Sequence, residues 1–282
     1  MQELSFKLSH LTIRGVGLGD PNKPMILALH GWLDNAASFI PLSQYLPDYY
    51  IVAIDITGHG LSDHRPKGCH YHQMDFVYDI HELVESQQWQ SFILLGHSMG
   101  GIIASLYASC FTEKVTKLIS IESFGPMSKD AVSSPVQLRE SIENRLKANA
   151  AKPKHPSSIE LTIQARAKAG DMSISSATLL IQRNIEQRAG QYFFRTDRRL
   201  RTFSSLRITD SQAEAFMRNI ICPMLVIMGD RGFESMKKSL SHRLKWVANL
   251  QVIECEGHHH LHMDGPIPVA QQLNAFLLDK IA

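Results

Sequence analysis

Ser91-Phe92-Ile93-Leu94-Leu95-Gly96-His97-Ser98-Met99-Gly100-Gly101, followed by Ile102-Ile103-Ala104-Ser105-Leu106-Tyr107-Ala108, reads as a buried strand, a sharp turn and a helix. The apolar run ends at Gly96, and small residues at Gly101, Ala104 and Ala108 begin a helical face just after it. Between the two lies the pattern Gly96-x-Ser98-x-Gly100. A serine at the apex of such a turn takes a strained backbone. The positions two before and two after it must be small, because strand and helix backbones nearly touch there. Gly96 and Gly100 meet that requirement, which makes Ser98 a candidate nucleophile. A glycine-rich turn that merely contains a serine also satisfies the five-residue pattern, but the strand–turn–helix setting favours the chemical reading.

Outward from this turn, short apolar runs alternate with loops and helical patterns. Residues 4 to 18, punctuated by Gly15, Gly17 and Gly19, predict an antiparallel hairpin at a sheet edge. Met25-Ile26-Leu27-Ala28-Leu29 predicts a strand covered on both faces, and it opens into His30-Gly31-Trp32-Leu33-Asp34-Asn35. Tyr50-Ile51-Val52-Ala53-Ile54 predicts a fourth strand, leading to Gly58-His59-Gly60, where flanking glycines mark His59 as a loop-packing residue rather than a base. Residues 73 to 88 carry helical spacing. Val115 to Ile121 predicts a sixth strand ending at Glu122-Ser123. Pro223 then opens a seventh at Met224 to Met228, ending at Gly229-Asp230. An eighth, Leu250 to Glu254, runs into Cys255-Glu256-Gly257 and His258-His259-His260-Leu261-His262, and a helix from Pro268 to Leu278 closes the chain.

From Phe124 to about Phe203 the strand–helix rhythm stops and helical segments take over. The expected organisation is a core over residues 1–123, a helical lid over 124–203, and the rest of the core over 204–282. Within the insertion, Arg195, Arg198, Arg199 and Arg201 read as a solvated helix face rather than an anion site.

Composition bounds the function. With 44% hydrophobic and 20% charged residues, the 282-residue chain can bury a large core and does not resemble a disordered segment. Lysine and arginine number 29 against 27 acidic residues, which argues against nucleic acid or a membrane surface as the main partner. Cys69, Cys110, Cys222 and Cys255 are scattered, as expected of reduced thiols. Four histidines within 258–262 suggest a metal only weakly, because sequence neighbours seldom converge on one ion, so no metal or other cofactor is expected. No basic leader followed by an apolar stretch opens the sequence, no run approaches a membrane span, and Asp279-Lys280-Ile281-Ala282 is not a Ser-Lys-Leu type address. The expected location is the cytoplasm.

Taken together, these pieces resemble the α/β-hydrolase superfamily over nearly the whole chain, and His30-Gly31-Trp32-Leu33-Asp34-Asn35-Ala36-Ala37-Ser38-Phe39 is similar to the serine hydrolase-like subgroup. The resemblance implies an α/β fold with a mostly parallel eight-stranded sheet, helices on both faces and a lid after the sixth strand. It implies Ser98 as nucleophile and amides of Trp32 and Met99 as an oxyanion hole. Counting back seven residues from Pro266 gives His259 as the base, with His258 as the one-residue alternative. The acid usually stands three residues beyond the glycine ending the seventh strand, but that position here is Gly232. Glu122, at the end of the sixth strand, is the favoured acid and Asp230 the alternative. A small-molecule acyl substrate is the implied partner.

Overall fold

A computed structural model describes residues 1–152, 155–234 and 241–279. Alternate residues of its central strands enter opposite cores, as the two-residue period of a strand requires. Ile26 and Ala28 of one strand pack with Phe39, Leu42, Val269, Leu273 and Phe276 on one face. Leu27 and Leu29 of the same strand pack with Phe76, Ile80, Leu83, Ile103 and Met217 on the other. Both faces are therefore dry, which explains why these strands read as unbroken apolar runs. Each fully buried aliphatic side chain contributes about 1.5–3 kcal/mol to this arrangement.

The strands are β1 (Gln2–Lys7), β2 (Thr12–Leu18), β3 (Met25–Leu29), β4 (Tyr50–Ile54), β5 (Phe92–His97), β6 (Val115–Ile121), β7 (Ile185–Arg188), β8 (Gln191–Phe194), β9 (Met224–Gly229) and β10 (Leu250–Cys255). Eight of them form one sheet in the order β1-β2-β4-β3-β5-β6-β9-β10. The pairs β1/β2 and β2/β4 are antiparallel, and the remaining ladders of this sheet are parallel. Helices α1 (Ile40–Ser43), α2 (Gln73–Ser86) and α3 (Met99–Cys110) precede β6, while α4 (Ser134–Ala150), α5 (Ile159–Gly170), α6 (Ile174–Asn184) and α7 (Asp210–Arg218) follow it. A short helix, Leu261–Asp264, leads into the C-terminal helix Pro266–Leu278. The last three residues of the C-terminal tetrapeptide considered above lie outside the described residues. Among the described residues, no helix is long and apolar enough to cross a membrane.

The segment between β6 and β9 departs from a purely helical expectation. Besides α4, α5 and α6 it holds the β7–β8 hairpin, whose Arg188↔Gln191 register leaves Ala189 and Gly190 as the turn, both at positive φ (47° and 78°). That geometry matches the twist of a tight two-residue hairpin. Nor do the four arginines form a solvated helix face. Arg198 to Arg201 make one 3₁₀ turn, and Arg199 donates to Asp197 and to the carbonyls of Arg65, Pro66 and Cys69. Arg195 pairs with Glu186 at 3.2 Å. Each arginine therefore does a different job.

Side chains anchor this segment over the carboxyl ends of the parallel strands. Arg183 of α6 pairs with buried Asp55 at the end of β4 and with Glu3 of β1. Asn35 donates to the Leu180 carbonyl at 2.8 Å, and the Trp32 indole donates to the Leu200 carbonyl at 2.9 Å. Arg166 of α5 reaches Asp34 in the loop after β3.

Candidate active site

The strand ends bring the chemistry together. Ser98 leaves β5 at φ 51° and ψ −117°, a conformation L-residues adopt only under strain, and its amide donates to the Ile121 carbonyl at 2.9 Å. The turn closes because its neighbours lack side chains. A Cβ on Gly96 would stand 2.4 Å from the Gly100 carbonyl oxygen, and one on Gly100 would stand 2.0 Å from the Leu29 carbonyl oxygen. The next strand end is strained as well, since Glu122 has φ 55°.

Glu122 is fully buried, and its two carboxylate oxygens have separate partners. Oε1 accepts from the Gly229 amide at 2.6 Å, and Oε2 lies 3.0 Å from Nδ1 of His259. With Nδ1–H donating to the carboxylate, the neutral His259 ring carries its lone pair on Nε2. Phe233 packs on this ring with centroids 4.4 Å apart, and His97 approaches it at 4.8 Å. Buried His97 donates from Nε2 to the His259 carbonyl at 2.8 Å, so the residue before the serine holds the histidine loop.

The alternatives considered from the sequence fall elsewhere. Asp230 accepts from the Gly257 amide at 2.7 Å and lies 3.5 Å from Arg231, so it ties the loops after β9 and β10. His258 pairs with Asp171 at 2.8 Å at the foot of α5. At Gly232, where the resemblance places the acid, a Cβ would lie 2.4 Å from Oε1 of Glu122, so a side chain there would contest the space of that carboxylate.

Ser98 and His259 line the same cavity, of about 530 Å³, together with Trp32, Arg166, Ile181 and Phe194. Among the described residues the Ser98 hydroxyl has no hydrogen-bond partner, and nucleophile–base contacts often tighten only with substrate present. The Met99 amide opens α3, where the first amides of a helix have no intrahelical acceptor. Neither it nor the Trp32 amide meets a protein acceptor among the described residues.

Histidine pairs support the loops beneath the cavity. His59 accepts from the Leu33 amide at 3.2 Å and lies 3.1 Å from the Ile56 carbonyl, tying the loop after β4 to the loop after β3. Burial pulls its pKa down to about 3, so it stays neutral, in the packing role its flanking glycines suggested. His30 accepts from the Ile56 amide at 2.9 Å, and burial brings its pKa to about 4.

A second cluster lies in the cavity wall. Asp34 Oδ2, His97 Nδ1 and His260 Nε2 come within 4.8 Å of one another, a spacing that can hold a cation. Arg166 supplies a fixed positive charge there, on the other oxygen of Asp34 and 3.4 Å from His260 Nε2. Burial alone would raise the Asp34 pKa, but His260, Arg166 and His97 hold it well below the usual carboxylate range. Sequence spacing gave no sign of this cluster, because Asp34, His97, Arg166 and His260 come from four separate segments.

Comparison with known proteins agrees with the fold. Residues 24–259 match the family described as alpha/beta hydrolase fold. The chain is 32% identical to serine hydrolase-like protein 2 of Homo sapiens, over 92% of this chain and 88% of that protein. It is 28% identical to a serine hydrolase-like protein of Danio rerio, over 94% of this chain and 85% of that protein. A crystal structure of a hypothetical protein from Pseudomonas aeruginosa PAO1 superposes with TM-score 0.93 at 33% identity, covering 99% of each chain. The thioesterase domain from the curacin biosynthetic pathway shares the fold, with TM-score 0.85 at 24% identity, covering 97% of this chain and 99% of that one. The chain belongs to the α/β-hydrolase family, within which it is similar to the serine hydrolase-like proteins.

Proposed function

We propose that the protein is a serine hydrolase of carboxylesterase type, acting on an ester or related acyl bond of a small, largely apolar substrate. The observation that carries this reading is the buried Glu122 carboxylate 3.0 Å from His259 Nδ1, in a site where a strained Ser98 lines the same cavity as the ring. In the mechanism this supports, Nε2 of His259 takes the Ser98 proton as Oγ attacks the carbonyl carbon. Glu122 stabilises the imidazolium that forms, and the amides of Trp32 and Met99 hold the developing oxyanion. The imidazolium returns its proton to the leaving group. Water, deprotonated by the same ring, then releases the acid and restores Ser98. The segment over residues 124–203 acts as the lid that shapes the acyl cleft.

A second reading, a ligand-binding protein that has kept the pocket without turnover, draws on the absence of a described partner for the Ser98 hydroxyl. One experiment separates the two. A fluorophosphonate probe labels the wild type and not Ser98→Ala if the serine is activated, and p-nitrophenyl ester hydrolysis disappears with the same substitution. An unlabelled wild type, or a Ser98→Ala variant with wild-type hydrolysis, overturns the hydrolase reading.

A further inference from the structure

The cavity lining holds one more cationic than acidic side chain, with the Glu122 carboxylate standing behind His259. Three arginines line the cavity, Arg166, Arg201 and Arg231, against two aspartates, Asp34 and Asp171. Arg166 is spent on Asp34, and Arg231 lies within 3.5 Å of both Asp230 and Glu256. Arg201 has no carboxylate partner among the described residues; its guanidinium lies over the ring of Trp32, 6.0 Å from its centroid. Trp32 in turn fixes the turn that bears Arg201, because its indole donates to the carbonyl of the preceding residue, Leu200, at 2.9 Å. The cationic side chain is thus held against the same loop residue whose amide belongs to the proposed oxyanion hole.

We infer that Arg201 forms an anion subsite, and that the substrate is an acyl compound whose far end bears a carboxylate. A guanidinium presents a planar fork of donors that matches a carboxylate with two parallel hydrogen bonds. The guanidinium lies over the aromatic face of Trp32, a contact that uses none of those donors. Although the residue as a whole is exposed, desolvation at the cavity mouth, reinforced by the charge of Arg166, lowers the pKa of Arg201. A bound anion would relieve that cost. The remaining lining, with Leu33, Ile181, Phe194 and Phe233, suits the methylene chain between the reacting carbonyl and the anionic end.

This inference takes its reacting bond from the acyl-hydrolase reading, while the anion subsite rests on Arg201, which lines the cavity without a carboxylate partner among the described residues, and two measurements keep them apart. The first compares kcat/KM for mono-p-nitrophenyl glutarate with that for neutral p-nitrophenyl pentanoate. The wild type prefers the anionic ester, and Arg201→Gln reduces the anionic-to-neutral ratio by roughly 10- to 100-fold, the range for a hydrogen bond to a charged group. Arg201→Lys keeps part of the preference. The second is calorimetric titration with glutarate and with its uncharged diamide, which needs no turnover. Glutarate binding that is lost in Arg201→Gln, with the diamide not bound by either protein, supports the subsite even if neither ester is cleaved; in that case only the hydrolase reading fails. Equal binding of glutarate and diamide, or unchanged glutarate binding by Arg201→Gln, overturns the subsite whatever the esterase result.

Discussion

A Cβ on Gly232 would fall 2.4 Å from Oε1 of Glu122, so the two positions compete for one volume beside His259. The carboxylate arrives from the end of β6, and Gly232, in the loop after β9 where the family resemblance places the acid, leaves that volume to it. Glu122→Gln leaves the packing but removes the charge that orients Nδ1–H and stabilises the imidazolium, and kcat should fall on the order of 10³- to 10⁴-fold. Gly232→Asp in the wild-type background should lower both activity and stability through the clash. The double variant Glu122→Gly, Gly232→Asp should recover more ester hydrolysis than Glu122→Gly alone. Steady-state kinetics on one p-nitrophenyl ester decide this; a double variant no better than the single one means the two positions do not share a role.

Strain at Ser98 predicts a stability gain on removing it. The residue holds φ 51° and ψ −117°, which costs an L-residue about 1–3 kcal/mol, whereas glycine adopts positive φ freely but loses more chain entropy on folding. Ser98→Gly should therefore be more stable than wild type by about 1 kcal/mol while inactive toward esters. Ser98→Ala, which keeps the Cβ and the strain, should unfold close to the wild type. Urea midpoints for the three proteins provide the measurement. If Ser98→Gly unfolds at lower urea than Ser98→Ala, the turn is not a reservoir of strain.

The indole of Trp32 joins the loop after β3 to the turn at Leu200, and its ring supports Arg201. Trp32→Phe removes the hydrogen bond but keeps an aromatic face. Losing one such bond is worth about 1 kcal/mol. The anionic-to-neutral preference in ester hydrolysis should accordingly drop by roughly 3- to 10-fold, less than in Arg201→Gln. A preference unchanged in Trp32→Phe would show that the turn keeps its position without the indole.

Apolar runs mark the strand ends near which Trp32, Ser98 and Glu122 stand, and the Gly-x-Ser-x-Gly turn marks Ser98, but Trp32, Glu122 and His259 are singled out as candidates only through the resemblance to the α/β hydrolases. The sequence favours Glu122 over Asp230 only by resemblance, since both end strands; it is packing that shows Glu122 bonded to His259 while Asp230 accepts from Gly257. The β7–β8 hairpin is not legible because four-residue strands in a helical context leave little alternation to read. Arg201 looked like its neighbours in a basic run. For two of these arginines the deciding contacts lie more than a hundred residues away in sequence, Arg199 with Pro66 and Arg201 with Trp32.

Buried histidines make stability depend on pH in a definite direction. Burial lowers the pKa of His30 to about 4 and those of His59 and His262 to about 3, against an ordinary value near 6.5. In the unfolded chain these rings take up protons as pH falls below about 6.5, while in the native protein they stay neutral until about pH 4 to 3. Across that window the unfolded state binds more protons, so stability falls as pH falls, by up to about 1.4 kcal/mol per pH unit for each histidine. Above pH 7 these groups contribute no slope. Urea unfolding at pH 7.5, 6.0 and 5.0 should show nearly flat stability at the upper end and a steep decline at the lower. His262 bonds Ser38 at 2.7 Å through Nε2. His262→Gln, whatever its effect at pH 7.5, removes one titrating ring and should flatten the decline by about one proton's worth. A slope identical to the wild type between pH 6.0 and 5.0 would mean that His262 is protonated in the native state too.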